Sequence, residues 1–531
     1  MQTQPSGNTT TVARNSFWYG LEMAFSLLAA FVTSVAVVRV FGAERLAEFN
    51  YVVWLTNVTT TVGAFGLPVT TRKYMAEHLN RGEAGVARAL YLFTLKIQTW
   101  ISVGITVLGL VLIFAAGNPQ YHVISVLLVL GMAPRTINFI PSQANNAAEV
   151  MKRNTAPSLI GGLLSTVLTV FSLVAGWGLA GVAMSLTLGA WLELLLKLRS
   201  VEHWLGDVKP APIAPDLKKR MFSYSSQGVA LLLLNVVVWD RSDMIFLKKL
   251  NPDPAQITFF SLAFNLTERL LMIPKAFGGS LGATMMAQYG RGQNRLQELT
   301  VNGARYALLA TLPLLLGMAC ISHPLVLLLY GGANRQLIPV LSVVSVFAIS
   351  KALMTMPTAL LQAAERQGFM IVWGCICGGL DILLDILLIP RYGAVGAAFA
   401  NGIAQTIAAG GIWWFAMRTM HLDLRLKDFA RIAMAGAAMA AGVLGVNRLL
   451  GGYAGMVVSI AAGAVIWMAA LRLIRVLDTA DAQRFLSLAR SLPASFRAPW
   501  KRLIAWLVPD SSGSLGVTAM PAVNRLDGPQ I

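Results

Sequence analysis

The sequence predicts an all-α, polytopic membrane protein of about fourteen transmembrane helices: two parallel-repeat six-helix bundles plus two extra C-terminal helices. Three observations predict it. Of 531 residues, 56% are hydrophobic and only 12% are charged. Apolar runs of about 20 residues, the length that crosses a bilayer as a helix, recur between residues 16 and 475. The chain also repeats itself. Lys351, Pro357 and Ala363-Ala364-Glu365 answer Arg135, Pro141 and Ala147-Ala148-Glu149, and Gly378-Gly379 answers Gly161-Gly162. Strand alternation is absent, and runs this long and uniformly apolar do not build a closed barrel.

A short polar N-terminus, 1–15, has no apolar core of its own, so no cleaved signal peptide is expected and the first helix directs insertion. That helix is predicted over 16–40, opened by the interfacial aromatics Phe17-Trp18-Tyr19, with Glu22 about one turn inside. The next, 47–71, ends through Ala64-Phe65-Gly66 into a basic loop holding Arg72, Lys73, Arg81 and Arg88. Helices over 89–116, 121–148, 155–177 and 180–196 complete a six-helix lobe, 16–200. Prolines at 210, 212 and 215, set among Lys197, Arg199, Lys209 and Lys218-Lys219-Arg220, mark a cytoplasmic linker centred on 201–219.

The second lobe, 220–418, carries helices over 222–247, 256–287, 303–330, 336–363, 368–389 and 395–417. Here Ala276-Phe277-Gly278 answers Ala64-Phe65-Gly66, and Tyr392-Gly393-Ala394-Val395-Gly396-Ala397 answers Trp177-Gly178-Leu179-Ala180-Gly181-Val182. Six is an even number, so the two lobes share one orientation and their symmetry axis runs along the membrane normal, the plan of a transporter built from parallel repeats. The last two helices, 430–450 and 453–475 within 419–475, have no counterpart in the first half. In the basic tail, 476–531, Phe485 to Arg490 and Phe496 to Arg502 interleave aromatics with cations. They read as an amphipathic segment on the inner leaflet or as a loosely ordered tail, and residues from Ser511 onward are expected to be disordered.

A net charge of +18 raises nucleic acid as a partner, but its distribution argues against it. With a cytoplasmic N-terminus, most of the 42 Lys and Arg fall in cytoplasmic segments, which is the positive-inside asymmetry. Both termini are therefore expected in the cytoplasm, with membrane lipid as the partner of the charge. The three cysteines, Cys320, Cys375 and Cys377, lie in apolar segments and read as packing residues; Cys375-Ile376-Cys377 is too tight for an easy disulfide. Gly176-Trp177-Gly178-Leu179-Ala180-Gly181 and Gly278-Gly279-Ser280-Leu281-Gly282 match nucleotide-binding and nucleophile-elbow patterns, yet the first joins two membrane helices rather than a strand and a helix, and the second lies inside helix 256–287 where no elbow forms. No Walker A or zinc-protease motif is present, so no enzyme and no cofactor are expected.

The informative residues are charges inside the membrane, since each costs at least about 2.5 kcal/mol to insert and so faces a cavity or a partner. Arg135 and Lys351 sit at matching positions of the repeat, near carbonyls that Pro141 and Pro357 leave free. Ser261, Asn265, Glu268 and Lys275 are spaced to share one helix face; Arg269 lies off that stripe and is placed to pair with helix 222–247, which carries Asp240, Arg241 and Asp243. Asp381 and Asp385 are one turn apart on one face, an arrangement suited to a proton or a sodium ion, or to pairing with a neighbouring cation. Glu22 carries the same two readings.

Asn15-Ser16, Arg39-Val40-Phe41-Gly42, Phe65-Gly66-Leu67, Asp240-Arg241, Leu329-Tyr330-Gly331 and, above all, Ile389-Pro390-Arg391-Tyr392-Gly393-Ala394-Val395-Gly396-Ala397-Ala398 make a set. With fourteen helices in two repeats plus two, residues 14–475 resemble the Wzx-like polysaccharide transporters of the multidrug/oligosaccharidyl-lipid/polysaccharide (MOP) flippase superfamily. The resemblance implies a flippase, a monomer in the bacterial inner membrane. It would move a polyprenyl-diphosphate-linked oligosaccharide, an O-antigen or exopolysaccharide unit, to the periplasmic leaflet by alternating access. It also implies polysaccharide polymerase and chain-length proteins as partners. On that reading Arg135, Lys351, Lys275, Arg241 and Arg269 hold the diphosphate, while Asp381, Asp385 or Glu22 couples transport to a proton or sodium gradient. The chain departs from its relatives at Asp381 and Asp385, where Asn or an apolar residue is frequent. A cation-coupled multidrug exporter and a lipid II flippase are the alternatives. A membrane-embedded polymerase or ligase is disfavoured, because outer loops such as Gly117-Asn118-Pro119-Gln120 are short.

Overall fold

A computed structural model describes residues 9–116, 118–148, 150–222, 225, 242–275, 278, 281, 285, 293–364, 366–422, 424–450, 452–488 and 494–508. Among the described residues every regular element is helical. In chain order they are α1 (Thr9–Gly63), α2 (Leu67–Asn80), α3 (Ala84–Ala116), α4 (His122–Leu130), α5 (Met132–Ile137), α6 (Phe139–Ala147), α7 (Lys152–Val174) and α8 (Gly178–Leu205). Then follow α9 (Asp243–Leu250), α10 (Ala255–Leu270), α11 (Gln293–Cys320), α12 (Ser322–Tyr330), α13 (Leu337–Ala363), α14 (Gln367–Met420), α15 (Leu426–Leu450), α16 (Gly452–Leu473), α17 (Thr479–Leu488) and α18 (Ala494–Leu507).

Ten helical stretches among the described residues are long and apolar enough to cross a membrane. Two of them, Leu21–Gly63 and Gly368–Met420, run 43 and 53 residues, enough for two crossings each at about 20 residues per crossing. Each breaks at a glycine: Gly42 (φ 73°, ψ 169°) and Gly393 (φ 56°, ψ −131°), backbone conformations that a Cβ disfavours. The expected pairs 16–40/47–71 and 368–389/395–417 are these two broken helices. Most of the expected helix 222–247, Arg241 included, lies outside the described residues, as does much of 256–287 beyond Lys275.

Three boundaries differ from the sequence reading. The stretch around Arg72-Lys73, expected as a loop, is helical. Phe65 and Gly66 turn left-handed and end α1, Pro68 starts α2, and Leu67, Tyr74 and Met75 bury its apolar face against Leu90, Tyr91 and Ile140. The expected 121–148 helix is three short helices, α4 to α6. Finally, α8 runs on to Leu205, so Lys197 and Arg199 lie on a helix rather than in the linker, and Lys197 is buried.

Contacts divide the chain into two compact units. One comprises Met1–Arg269, Val326–Val344 and Arg366–Ala408; the other comprises Leu270–Leu325, Ser345–Glu365 and Ala409–Ile531. In the first, α7 and α8 approach closely through glycine. A Cβ on Gly161 would stand 2.8 Å from both the Gly189 carbonyl oxygen and Glu193 Cβ, so the small residue is what lets Glu193 in. Trp100, Val107, Val111 and Phe114 are exposed along one side of α3, the apolar face that lipid covers. In the second, Leu308 and Leu312 of α11 form a core with Ile432 and Met439 of α15, Trp467 of α16, Ala482 of α17 and Ile504 and Leu507 of α18. The tail helices are therefore packed on protein, neither loose nor inserted by their apolar face.

Candidate functional site

The break at Gly393 folds the two legs of α14 past one another, and α9 meets both of them. Asp381 and Asp385 come from the first leg, Asn401 and Gln405 from the second, and Asp243 from the first turn of α9. Asp243, Asp381 and Asp385 each present a carboxylate oxygen, and these oxygens all lie within 4.8 Å of one another. All three side chains are buried. Asn401 Nδ2 donates to Asp243 Oδ2 at 3.2 Å, and Gln405 Nε2 fixes the amide by donating to Asn401 Oδ1 at 2.6 Å. Among the described residues, the other Asp243 oxygen and all four oxygens of Asp381 and Asp385 have no donor.

The sequence reading joined Asp381 to Asp385; the structure adds Asp243. Among the described residues the acidic pair meets a third carboxylate rather than a cation. Three buried carboxylates this close repel strongly, and a hard cation or shared protons would relieve them. An all-oxygen donor set suits a small hard cation.

A cavity of about 400 Å³ lies between α1, α7, α8 and α10 in the same unit. Its polar lining includes Ser34, Asn50, Ser165, Asn265, Arg269 and Tyr330; Arg269 is the one charged residue lining it among the described residues. Asn265 and Arg269 are one turn apart, so the wetted face of α10 runs through 262, 265, 266 and 269. This corrects the expected stripe: Ser261 is buried away from the cavity, and Arg269 faces it.

Arg135 sits on α5, the middle of the three short helices. Among the described residues its guanidinium has no hydrogen-bond partner, and the opposing charge that reaches it is Glu193. Glu193 is already engaged: its Oε1 accepts from Lys197 Nζ at 2.7 Å, Ser158 Oγ at 2.9 Å and Asn138 Nδ2 at 3.0 Å. Lys197 Nζ also donates to Ser142 Oγ at 3.0 Å. With Glu193 matched to Lys197, the group of three carries one net positive charge, held by Arg135. Sequence reasoning missed Glu193 and Lys197, although their i,i+4 spacing is the pattern of a helical ion pair.

The remaining expected residues are placed separately. Glu22 Oε2 accepts from Thr155 Oγ1 at 3.1 Å and is not part of the carboxylate cluster. Lys351 lies in α13, which runs unbroken through Pro357, unlike its repeat partner's segment. Lys275 is exposed. Both belong to the second compact unit, whereas Arg135 and Arg269 belong to the first.

Other contacts tie α1 to α9, α10 and α12. Arg39 Nε donates to the Leu329 carbonyl at 2.7 Å and its Nη2 to that of Leu328, capping the end of α12. Lys248 Nζ pairs with Glu48 at 2.8 Å and stands 4.0 Å over the Tyr51 ring, and Thr258 Oγ1 donates to the Ala43 carbonyl at 2.7 Å.

Comparison with known proteins gives a consistent result. The profile of the polysaccharide biosynthesis protein family matches residues 12–282, and that of lipid II flippase MurJ matches residues 263–471. No curated protein matches the chain in sequence. Among solved structures, a lipid II flippase MurJ in an inward closed conformation superposes with a TM-score of 0.66 at 15% identity, covering 86% of this chain and 98% of its own. An inward-facing multidrug resistance MATE family transporter of the MOP superfamily gives 0.65 at 16% identity, covering 75% and 94%. A MOP superfamily transporter from Pyrococcus furiosus gives 0.59 at 15%, covering 77% and 95%.

Proposed function

This chain belongs to the polysaccharide biosynthesis protein family, within the MOP flippase superfamily, and from that premise we propose that it flips a polyprenyl-diphosphate-linked oligosaccharide from the cytoplasmic to the periplasmic leaflet of a bacterial inner membrane. The observation that carries this reading is the cavity in which Arg269 is the one charged lining residue among the described residues. Such cargo has a lipid tail that stays in the bilayer, a diphosphate that needs a cation, and sugars that need hydroxyls and amides. A cavity with hydroxyls, amides, one guanidinium and no carboxylate in its described lining matches the second and third needs. Arg135, with its surplus charge, supplies a second cation on the diphosphate's path, and Lys351, Lys275 and Arg241 remain candidates for the same role. The described cavity also disfavours the multidrug-exporter reading, because a cationic drug calls for an acidic lining.

Transport runs by alternating access in this reading, with both termini cytoplasmic and the 16–200 lobe rocking against 220–418. The α1 contacts with α9, α10 and α12 form a latch on the outer side that opens once per cycle. Asp243, Asp381 and Asp385 hold the coupling ion, a proton or sodium. Occupancy lets α9 and both legs of α14 pack together, and loss of the ion drives them apart by like-charge repulsion, so the ion biases a two-state element. Glu22 remains a candidate for the same coupling.

A second reading has its own support: the match of residues 263–471 to the lipid II flippase profile. Both cargoes are polyprenyl-diphosphate glycans, so cavity chemistry does not separate them. Proteoliposomes loaded with a fluorescent undecaprenyl-diphosphate oligosaccharide or with fluorescent lipid II do so, in parallel with an Arg135→Ala/Lys351→Ala variant. The proposal expects faster exposure of the oligosaccharide on the far leaflet and its loss in the double variant. Preferential flipping of lipid II would replace the first reading with the second.

A further inference from the structure

The tail helix α18 lies at the membrane exit of α16. Arg472, in the last turn of that membrane-crossing helix, stands 4.7 Å over the ring of Trp506 in α18. That contact brings the C-terminal end of α18 level with the end of α16, a helix long and apolar enough to cross a membrane. Tryptophan and arginine at that level are the usual anchors of an interface.

The apolar face of α18 is already occupied. Ile504, Leu507 and Val508 belong to the core shared with α11, α15 and α16, and Trp500 Nε1 donates to the Phe485 carbonyl at 2.9 Å. The tail is locked further by a buried ion pair. Asp481 of α17 meets Arg305 of α11 at 2.7 Å, accepts from Tyr306 at 2.5 Å, and both charged side chains are almost fully buried. This packing turns a different face outward. Arg502 and Trp506 are one turn apart on it, Lys501 precedes Arg502 and is exposed, and Leu503 and, at the end of α16, Leu473 are exposed apolar side chains. From Arg472 to Val508 the acidic residues are Asp478 and Asp481, and Asp481 is consumed by Arg305.

We propose that Arg472, Lys501, Arg502 and Trp506 form a binding platform for the phosphate of an anionic phospholipid headgroup in the leaflet where α16 ends. A fixed cationic surface beside an interfacial indole, at bilayer depth, is complementary to a phosphate that carries net charge and has acyl chains running beside Leu473 and Leu503. A zwitterionic headgroup offers the same phosphate with its charge cancelled. An acidic soluble protein would not need the apolar neighbours or the depth.

The test uses the full chain in detergent with short-chain phosphatidylglycerol, short-chain phosphatidylcholine and inorganic phosphate as separate probes, retention being read by native mass spectrometry. Each basic side chain near the surface contributes about fivefold, so phosphatidylglycerol should be retained on the order of a hundredfold better than phosphatidylcholine at low salt, and less so as salt rises. Arg472→Gln/Lys501→Gln/Arg502→Gln should bring the two lipids level. Lys501→Gln/Arg502→Gln, which touches only exposed side chains and leaves the packed face intact, should remove most of the preference. Equal retention of both lipids by the unaltered protein, or an undiminished preference in either variant, overturns the proposal. Displacement of phosphatidylglycerol by inorganic phosphate at comparable concentration also overturns it, since the surface would then be a free-anion site.

Discussion

Replacing Lys197 with methionine tests the charge arrangement beneath Arg135. Lys197 is 4% exposed, and its ammonium is 2.7 Å from Glu193. Lys197→Met keeps the chain volume and removes the charge, leaving Glu193 with only Asn138 and Ser158 as donors. Breaking a buried pair by removing one partner costs about 3–5 kcal/mol. Glu193 retains 24% of its side-chain exposure, so the lower end applies. Glu193→Gln/Lys197→Met should recover most of the loss, giving a coupling energy of about 1–3 kcal/mol in a double-mutant cycle. Chemical unfolding in detergent micelles reads the stability arm. A functional arm follows from the same charges. In Lys197→Met, Glu193 falls to Arg135, the local charge drops from one positive to zero, and flipping should fall in protein that is still folded. A cost below about 1 kcal/mol with no coupling, the behaviour of an exposed linker lysine, would refute the reasoning.

Further predictions concern other elements. Asp243→Asn, Asp381→Asn and Asp385→Asn should each abolish the dependence of flipping on an imposed sodium or proton gradient; gradient-driven transport surviving in all three would remove the cluster from coupling. Gly161→Ala should destabilise by about 1–3 kcal/mol, because its Cβ has 2.8 Å to backbone and to Glu193 Cβ. A neutral melting temperature would contradict that approach. Glu48→Gln or Lys248→Gln should each loosen the latch by about 1.5- to 5-fold, since the pair is partly exposed and such pairs contribute about 0.2–1 kcal/mol. Cysteine accessibility at the outer mouth reads the shift, and closure unchanged in both variants would place the latch elsewhere.

Helix periodicity and length made the architecture legible, because an apolar run either spans a bilayer or does not. The breaks at Gly42 and Gly393 were legible too, each standing between two runs that together exceed one crossing. Segment ends were less so. The Leu-rich run of α8 gives way to Lys197 and Arg199, which look like a loop until Glu193 is seen to lie one turn before Lys197. Asp381 and Asp385 declare themselves by spacing on one helix, whereas Asp243 joins them only through helix pairing that no local pattern encodes. The phase of α10 shifts for the opposite reason: Ser261, Asn265, Glu268 and Lys275 make a plausible stripe, of which Asn265 lines the cavity, with Arg269 one turn on beside it. The tail's periodicity showed an amphipathic helix but not what covered its apolar side, which depends on the distant partners Arg305, Leu308 and Leu312.

The most direct test of the central claim is the rate at which a fluorescent undecaprenyl-diphosphate oligosaccharide becomes accessible on the far leaflet of proteoliposomes, with Arg269→Ala and Arg269→Lys beside the unaltered protein at matched incorporation. The unaltered protein should flip the substrate, Arg269→Ala should lose at least about tenfold for a charge-assisted contact of about 1.5–3 kcal/mol, and Arg269→Lys should recover part of it. No flipping under either a sodium or a proton gradient, or equal rates for the unaltered protein and Arg269→Ala, would contradict the claim.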